Sequence, residues 1–142
     1  MKQIHAYLTF SGNCREAMNF YKECLGGELH LQTIGDSPLA EKMPENMQQW
    51  MLHATLTHGD TVLMATDMVP EEGRIRGNAV AMMLDCSSED ELRTVFGKLS
   101  SGGGEVLHPL ETSFWGALFG DLKDKYGNTW LLHYDQTTQT SI

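Results

Sequence analysis

The same order of secondary-structure patterns occurs twice along this chain, and this repeat limits the folds that are open to it. Each half begins with a short strand pattern, continues with one amphipathic helix pattern and ends with three further strand patterns. The apolar residues of the two predicted helices match at a constant offset, which pairs Met18 with Leu92 and Tyr21 with Val95. The repeat predicts two similar βαβββ modules.

The residues around the two helix patterns predict where each helix begins and ends. A small polar residue followed three positions later by an acidic one is typical of a helix N-terminus, and glycine is typical of the C-terminal end. These signals predict helices over residues 13–25 and 87–100. The predicted N-caps are Asn13, with Glu16, and Ser87, with Asp90, and the predicted ends are the glycine runs 26–27 and 102–104.

The strand patterns complete an α+β fold of two βαβββ modules in a single domain over residues 1–142. Module one covers about residues 1–70 and module two about 78–136. We expect curved mixed sheets that enclose a cleft, with the helices on the outer face, and a cleft between similar halves is a common place for a small ligand. The predicted strands are 5–10, 27–35, 50–57, 61–67, 79–85, 105–111, 114–122 and 129–135.

Charge and composition exclude several classes of protein. Nineteen acidic and 10 basic residues give a formal net charge of −9, which disfavours binding to a nucleic-acid backbone. No apolar run approaches the roughly 20 residues that a membrane-spanning helix needs, and the first residues lack the apolar segment of a secretory signal. Three cysteines without a CxxC spacing indicate buried, reduced thiols. We therefore expect a cytoplasmic protein.

Three segments resemble the vicinal oxygen chelate superfamily, which includes glyoxalase I, extradiol dioxygenases and the bleomycin and fosfomycin resistance proteins. The segments are HAYLTFSGNCREAMNFYKECLGGEL at 5–29, the stretch 53–67, and FWGALFGDLKDKYGNTW at 114–130. They most resemble its PhnB-like branch, which is also labelled 3-demethylubiquinone methyltransferase-like. A methyltransferase of the common type needs a glycine-rich turn from a strand into a helix, and the glycine run 102–104 follows a helix instead.

The resemblance implies four metal-ligand positions, one on the first and one on the last strand of each module. In this sequence they fall on Ala6, Met64, Ala79 and Leu131, none of which offers a strong donor to a divalent ion. His5 is one residue from this register, so alternation along a regular strand would turn it to the opposite face. We therefore predict no cofactor. The alternative is a divalent metal held by His53, His133 and Asp67.

Candidate pocket residues are those expected on the cleft side of the strands. His53 alternates with an apolar set that should pack under a helix, and His133 shares the strand face of Leu131. Aromatic and methionine side chains suit the walls of an adaptable apolar pocket. The predicted pocket residues are His53, Asp67, Trp115, Phe114, Met51, Met64 and His133.

Two functions remain open from the sequence. The first is a small-molecule-binding protein of the superfamily that lacks the usual metal site. The second is a metal-dependent lyase, isomerase or dioxygenase-like enzyme with displaced ligands, in which the metal would polarise the substrate. A small-molecule ligand is the expected partner in both, with no nucleic acid and no membrane. The resemblance also implies a homodimer.

Overall fold

The computed structural model describes residues 3–69 and 73–136. The chain divides into two compact units, Met1–Arg76 and Gly77–Ile142, which we call module one and module two. Each contains one strand, one helix and three further strands, so the two predicted βαβββ modules are confirmed. Module one holds β1 (Ala6–Thr9), α1 (Cys14–Leu25), β2 (Glu28–Thr33), β3 (Met51–His58) and β4 (Thr61–Thr66); module two holds β5 (Met82–Asp85), α2 (Glu89–Leu99), β6 (Glu105–Thr112), β7 (Ala117–Lys123) and β8 (Thr129–Asp135).

Both modules have a four-stranded mixed sheet with the same pattern of neighbours. The order is β1-β4-β3-β2 in module one and β5-β8-β7-β6 in module two. In each sheet the first strand runs parallel to the last strand of its module, and the remaining pairs are antiparallel. This topology brings residues of the first and last strands side by side although they are far apart in the sequence.

Alternation along the strands gives each sheet a helix-packed face and an opposite face, which we call the non-helical face. In β3, Ala54 and Leu56 are buried, and the helix α1 packs against this strand. In β8, Trp130 and Leu132 are buried, and α2 packs against that strand. Successive strand residues point to opposite faces, so His53 and His133 lie on the non-helical faces of their sheets, as the sequence predicts.

The helix α1 begins one residue after Asn13, but Asn13 does not cap it with its side chain. The Asn13 side chain instead accepts a weak hydrogen bond from the Ser11 amide, at 3.3 Å. The Asp67 carboxylate accepts from the amides of Gly12 and Cys14, at 2.8 and 3.0 Å. The predicted N-cap position at Asn13 is therefore confirmed, but its side chain makes no cap bond, and a carboxylate from the end of β4 accepts from the amides on either side of it.

The helix α2 begins with a local cap that is displaced by one residue from the prediction. Ser88, rather than Ser87, is the N-cap, and its hydroxyl accepts from the Glu91 amide at 3.1 Å. The Glu91 carboxylate in turn accepts from the Ser87 amide at 2.9 Å. The Ser88 hydroxyl thus caps α2, and the Glu91 carboxylate binds the amide of the residue before the cap, so these two bonds replace the predicted Ser87–Asp90 pair.

Two strands of module two are shorter than predicted. The strand β5 begins at Met82, so Ala79 precedes it. The strand β7 begins at Ala117, because Ser113 and Ala117 close a tight turn through a backbone bond of 2.7 Å and a bond from the Ala117 amide to the Ser113 hydroxyl. Gly116 completes this turn with φ of 91°. Phe114 and Trp115 therefore lie in the β6–β7 turn and not on a strand.

The remaining elements of the described chain are short. Two 3-10 turns, Ala40–Lys42 and Glu45–Met47, occupy the connection between β2 and β3. Gln48 ties this connection together, because its side-chain amide donates to the carbonyl oxygens of Ala40 and Met43. Over residues 3–69 and 73–136, neither helix has the length and apolar character needed to cross a bilayer.

Candidate functional site

The non-helical face of module one carries a small polar cluster around His53. The register of the sheet aligns Thr55 and Tyr7 with Met64 of β4, and His53 lies two residues before Thr55. One ring nitrogen of His53, Nε2, is 2.8 Å from the Thr55 hydroxyl oxygen, and Nδ1 is 3.4 Å from the Tyr7 hydroxyl oxygen. Both nitrogens of His53 therefore already have partners within module one.

Asp67 and Met51 lie in the interior of module one. Asp67 is 1% exposed, and its second carboxylate oxygen accepts from the Met51 amide at 2.8 Å. With the amides of Gly12 and Cys14 on its first oxygen, this carboxylate joins the start of α1 to the start of β3. Both oxygens are thus occupied by backbone donors. This geometry assigns Asp67 a structural role, and it gives Met51 the position of a core residue.

A continuous row of rings crosses the corresponding region of module two. Phe114 and Trp115 meet edge to face with ring centroids 4.9 Å apart, Trp115 and Phe119 are 6.2 Å apart, and Phe119 and His133 are 6.5 Å apart. We call Phe114, Trp115, Phe119 and His133 the ring row. Exposure falls along it, from 99% for Phe114 and 51% for Trp115 to a partly buried His133. The successive rings are inclined to one another by 70° to 87°, so the row offers a stepped apolar surface that leads to one polar ring.

His133 is oriented by a carboxylate at the inner end of the ring row. Its Nδ1 is 2.8 Å from an oxygen of Asp85, and the two residues are register partners on the parallel strands β5 and β8. The side chain of His133 is 16% exposed, whereas that of Asp85 is 73% exposed. A carboxylate accepts only from a protonated nitrogen, so in the neutral ring it holds the proton on Nδ1 and leaves the Nε2 lone pair as an acceptor.

Sequence reasoning missed Asp85 and Phe119 as parts of this arrangement. The signal for Asp85 was the βαβββ order itself, which places the first strand of a module parallel to the last one. Phe119 falls within the predicted strand 114–122, but its alignment with His133 depends on the antiparallel register of β7 and β8. The separation in sequence between these residues and His133 concealed both contacts.

The four positions at which the resemblance implies metal ligands do not fit a divalent ion. Met64 and Leu131 lie on non-helical faces, where they offer a soft thioether and a hydrocarbon. Ala79 precedes β5, and Ala6 pairs with the buried Leu63, which puts it on the helix-packed face of its sheet. The predicted register of β1 is therefore off by one residue, so alternation along the strand does not exclude His5 as a metal ligand.

Each of the three residues of the alternative metal site has another hydrogen-bond partner within its own module. His53 bonds to Thr55 and Tyr7, His133 to Asp85, and Asp67 to backbone amides. Across residues 3–69 and 73–136, no three or more histidine, cysteine, aspartate or glutamate side chains are grouped in a way that could hold a metal ion.

The three cysteines are buried and unpaired with one another. Burial, and to a smaller extent the charge of Asp67, raises the pKa of the Cys14 thiol to about 12. Burial, followed by the charges of Glu91 and Asp85, raises the pKa of the Cys86 thiol to about 12. Nucleophilic cysteines need a lowered pKa, so these two thiols have the character of inert core residues.

Known proteins with related sequences and structures support the same fold. The chain is 29% identical to protein YjdN of Escherichia coli, over 92% of this chain and 93% of that protein. It is 35% identical to protein PA1353 of Pseudomonas aeruginosa, with a TM-score of 0.82 over 95% of this chain and 98% of that one. It is 30% identical to a PhnB protein of Bacillus cereus, with a TM-score of 0.73 over 94% of this chain and 99% of that one.

The match to a family extends over most of the sequence. The model of the Glyoxalase/Bleomycin resistance protein/Dioxygenase superfamily aligns with residues 3–132, which include both helices and all but the end of the last strand. This span contains the three segments that carry the resemblance seen in the sequence. The chain belongs to the Glyoxalase/Bleomycin resistance protein/Dioxygenase superfamily.

Proposed function

We propose that this protein binds a small organic molecule, and that the ring row of module two forms one wall of the binding site. The observation that carries the proposal is the unbroken series of ring contacts from Phe114 to His133. Half-exposed aromatic rings offer apolar area at low cost in conformational entropy, and a polar group at one end gives a ligand a direction. Binding to such a surface needs no metal ion.

The acidic charge of the chain narrows the ligand class. A net charge of −9 opposes phosphorylated or polyanionic ligands, whereas a neutral or cationic flat molecule meets no such repulsion. Asp85 adds a local negative charge next to His133. We therefore expect flat, uncharged or weakly cationic aromatic molecules to bind better than anionic ones of the same size.

The test uses the three tryptophan indole N–H signals of a ¹H–¹⁵N NMR spectrum, because only one of these tryptophans lies in the ring row. A series of neutral aromatic compounds should shift the Trp115 signal and leave the buried Trp130 signal in place. The variant Trp115→Ala should weaken binding by about tenfold or more, since the contact area of one aromatic ring is worth on the order of 1–2 kcal/mol.

Tyr7→Ala is the matched control for this variant. Tyr7 is 54% exposed, close to the 51% of Trp115, and it lies on the non-helical face of module one. We expect Tyr7→Ala to leave the affinity unchanged within about twofold. Equal losses in the two variants, or no Trp115 shift with any compound, would contradict the assignment of the site to the ring row.

Metal analysis separates this function from the metal-dependent alternative. Protein purified without a histidine tag should contain well under one equivalent of transition metal. Added zinc or nickel should raise Tm little, whereas a tight ligand of the folded state at about a hundred times its Kd would add roughly 3 kcal/mol. Stoichiometric metal that is lost in His53→Ala or His133→Ala would favour the enzyme instead. The predicted cleft, the homodimer and the cytoplasmic location stay predictions.

A further inference from the structure

We infer that His133 selects the ligand: its Nε2 accepts a hydrogen bond from a hydroxyl group on the edge of a flat aromatic molecule that packs along the ring row. This inference rests on the proposed function and adds the ligand's chemical class to it. The position of the proton on the His133 imidazole decides whether its Nε2 can accept. Asp85 lies 2.8 Å from Nδ1, so the neutral ring carries its proton there and Nε2 has no proton to donate.

Nε2 of His133 also has to be free of a protein partner before it can accept from a ligand. The structure records one hydrogen bond for the His133 ring, at Nδ1, over residues 3–69 and 73–136. Over the same residues, no buried side-chain nitrogen or oxygen lacks a hydrogen-bond partner, so Nε2 is not completely buried in a side chain that is 16% exposed. His53 differs in this respect, because Thr55 occupies its Nε2 and Tyr7 its Nδ1. His133 is thus the ring with an acceptor to offer.

The Nε2 acceptor of His133 lies at the end of the ring row, so one ligand can contact both. The Phe119 ring meets the His133 ring at 79°, with centroids 6.5 Å apart, and is the row's link to Trp115. Because the Trp115 and Phe119 rings are inclined at 70°, a flat molecule lies parallel to only one of them; stacked on Phe119 and touching the edge of Trp115, it can bring its own edge toward His133. A neutral acceptor at that edge favours a ligand that carries a hydroxyl donor over one whose oxygen is methylated, because the methyl ether can only accept.

The experiment compares 2-naphthol with 2-methoxynaphthalene, which differ at the hydroxyl group. Both should shift the Trp115 indole signal at about pH 8, where histidine is ordinarily neutral. One additional hydrogen bond is commonly worth a factor of about ten in affinity, so 2-naphthol should bind about tenfold more tightly. Equal affinities would overturn the inference and leave the proposed function standing, whereas no shift with either compound would overturn both.

Variants of His133 and Asp85 test whether these two residues cause the preference for 2-naphthol. In His133→Phe the ring row keeps four rings, so 2-methoxynaphthalene should bind as before while the preference for 2-naphthol disappears. In Asp85→Asn the side-chain amide can either accept from Nδ1 or donate to it, so the ring proton is no longer confined to Nδ1 and the preference should fall. A preference that survives in His133→Phe would overturn the inference.

Asp121→Asn is the matched control. Asp121 also contacts a histidine Nδ1, that of His108 at 2.7 Å, and it lies in the same sheet. This variant makes the same change of charge, but it should leave the preference for 2-naphthol unaltered. A loss as large as that in Asp85→Asn would overturn the inference in favour of a general charge effect.

The imidazole ¹⁵N signals of the unaltered protein give a readout that does not depend on the folding of any variant. Without ligand, the Nδ1 signal of His133 should be that of a protonated nitrogen and the Nε2 signal that of an unprotonated one. Addition of 2-naphthol should shift the Nε2 signal, whereas the methyl ether should leave it in place. A proton found on Nε2 of the neutral ring would overturn the inference.

Discussion

The two modules share a topology, yet they use their buried carboxylates differently. Asp67 of module one and Asp124 of module two are 1% and 3% exposed. Asp67 accepts from Gly12, Cys14 and Met51, which belong to two segments distant from it in the sequence. Asp124 accepts from the amides of Tyr126 and Asn128, within its own β7–β8 turn, and from the nearby Trp130 indole.

The helix N-termini follow the same division. The Cys14 amide at the start of α1 donates to Asp67, which follows β4, whereas the Glu91 amide in the first turn of α2 donates to the hydroxyl of the N-cap Ser88. Module one thus depends on a long-range contact that forms only when its sheet and helix are assembled. In module two, the buried carboxylate Asp124 and the cap of α2 use contacts that short segments can form by themselves. The two modules therefore share the order of their elements but not the hydrogen bonds that stabilise them.

The largest effect that this comparison predicts is that of Asp67→Ala. The variant removes the acceptor of three backbone amides in or near the interior of module one. Hydrogen bonds to charged groups contribute about 1.5–3 kcal/mol each, so three of them predict a loss on the order of 5 kcal/mol or more in the free energy of unfolding. Urea unfolding measures it. Asp36→Ala removes an exposed charge from the same module and should cost less than about 0.5 kcal/mol.

Asp124→Ala should cost less, about 2 kcal/mol, because only one of its partners is deeply buried. The Trp130 indole loses its acceptor, while the two turn amides can turn to water. Hydrogen exchange should accelerate chiefly in the β7–β8 turn, whereas Asp67→Ala should also accelerate exchange in α1 and β3. The contrast between the modules fails if the two variants destabilise the protein equally and over equally wide regions.

The same contrast explains what could be read from the sequence. Apolar spacing predicted the two helices and the eight strands, because burial on one face of an element is a local property. Met18 and Leu92 take matching buried places in α1 and α2. Asp67 as the partner of α1 and Asp85 as the partner of His133 were not predicted. Both contacts arise only after the first and last strands of a module come together.

The turn that holds Phe114 and Trp115 was also missed, for a different reason. Two aromatic residues next to strand-like sequence favour a strand assignment. The bonds between Ser113 and Ala117, together with the positive φ of Gly116, close the turn instead. A glycine that follows a serine and two aromatics was the available signal, and the aromatic content obscured it.

A smaller difference in the free energy of unfolding should distinguish substitutions at the N-caps of α1 and α2. Ser88→Ala removes the hydroxyl that accepts from the Glu91 amide and should cost about 1 kcal/mol. Asn13→Ala, at the corresponding place in α1, should cost less than about 0.5 kcal/mol, because its side chain makes no cap bond. Urea unfolding of both variants tests this pair. A larger loss in Asn13→Ala would mean that Asp67 does not replace the local cap.

The smallest expected effect is the contribution of the buried thiols to stability at alkaline pH. The pKa of Cys14 and that of Cys86 are each raised from 9.0 to about 12 in the folded protein. Above pH 9 the unfolded thiols lose protons that the folded ones keep, so the unfolded state binds fewer protons and stability falls as pH rises from 9 toward 12. At pH 9 only half of the unfolded thiols are ionised, and the loss is a fraction of a kcal/mol.

Cys14→Ala and Cys86→Ala, compared with the unaltered protein in urea unfolding at about pH 8 and pH 9.5, measure the two contributions separately. Each substitution should flatten the alkaline decline by a similar amount, because burial is the main cause of the raised pKa in both modules. Similar slopes would mean that thiol burial is common to both modules while the use of carboxylates is not. A decline that persists undiminished in the double variant would assign it to other groups and remove the thiols from the comparison.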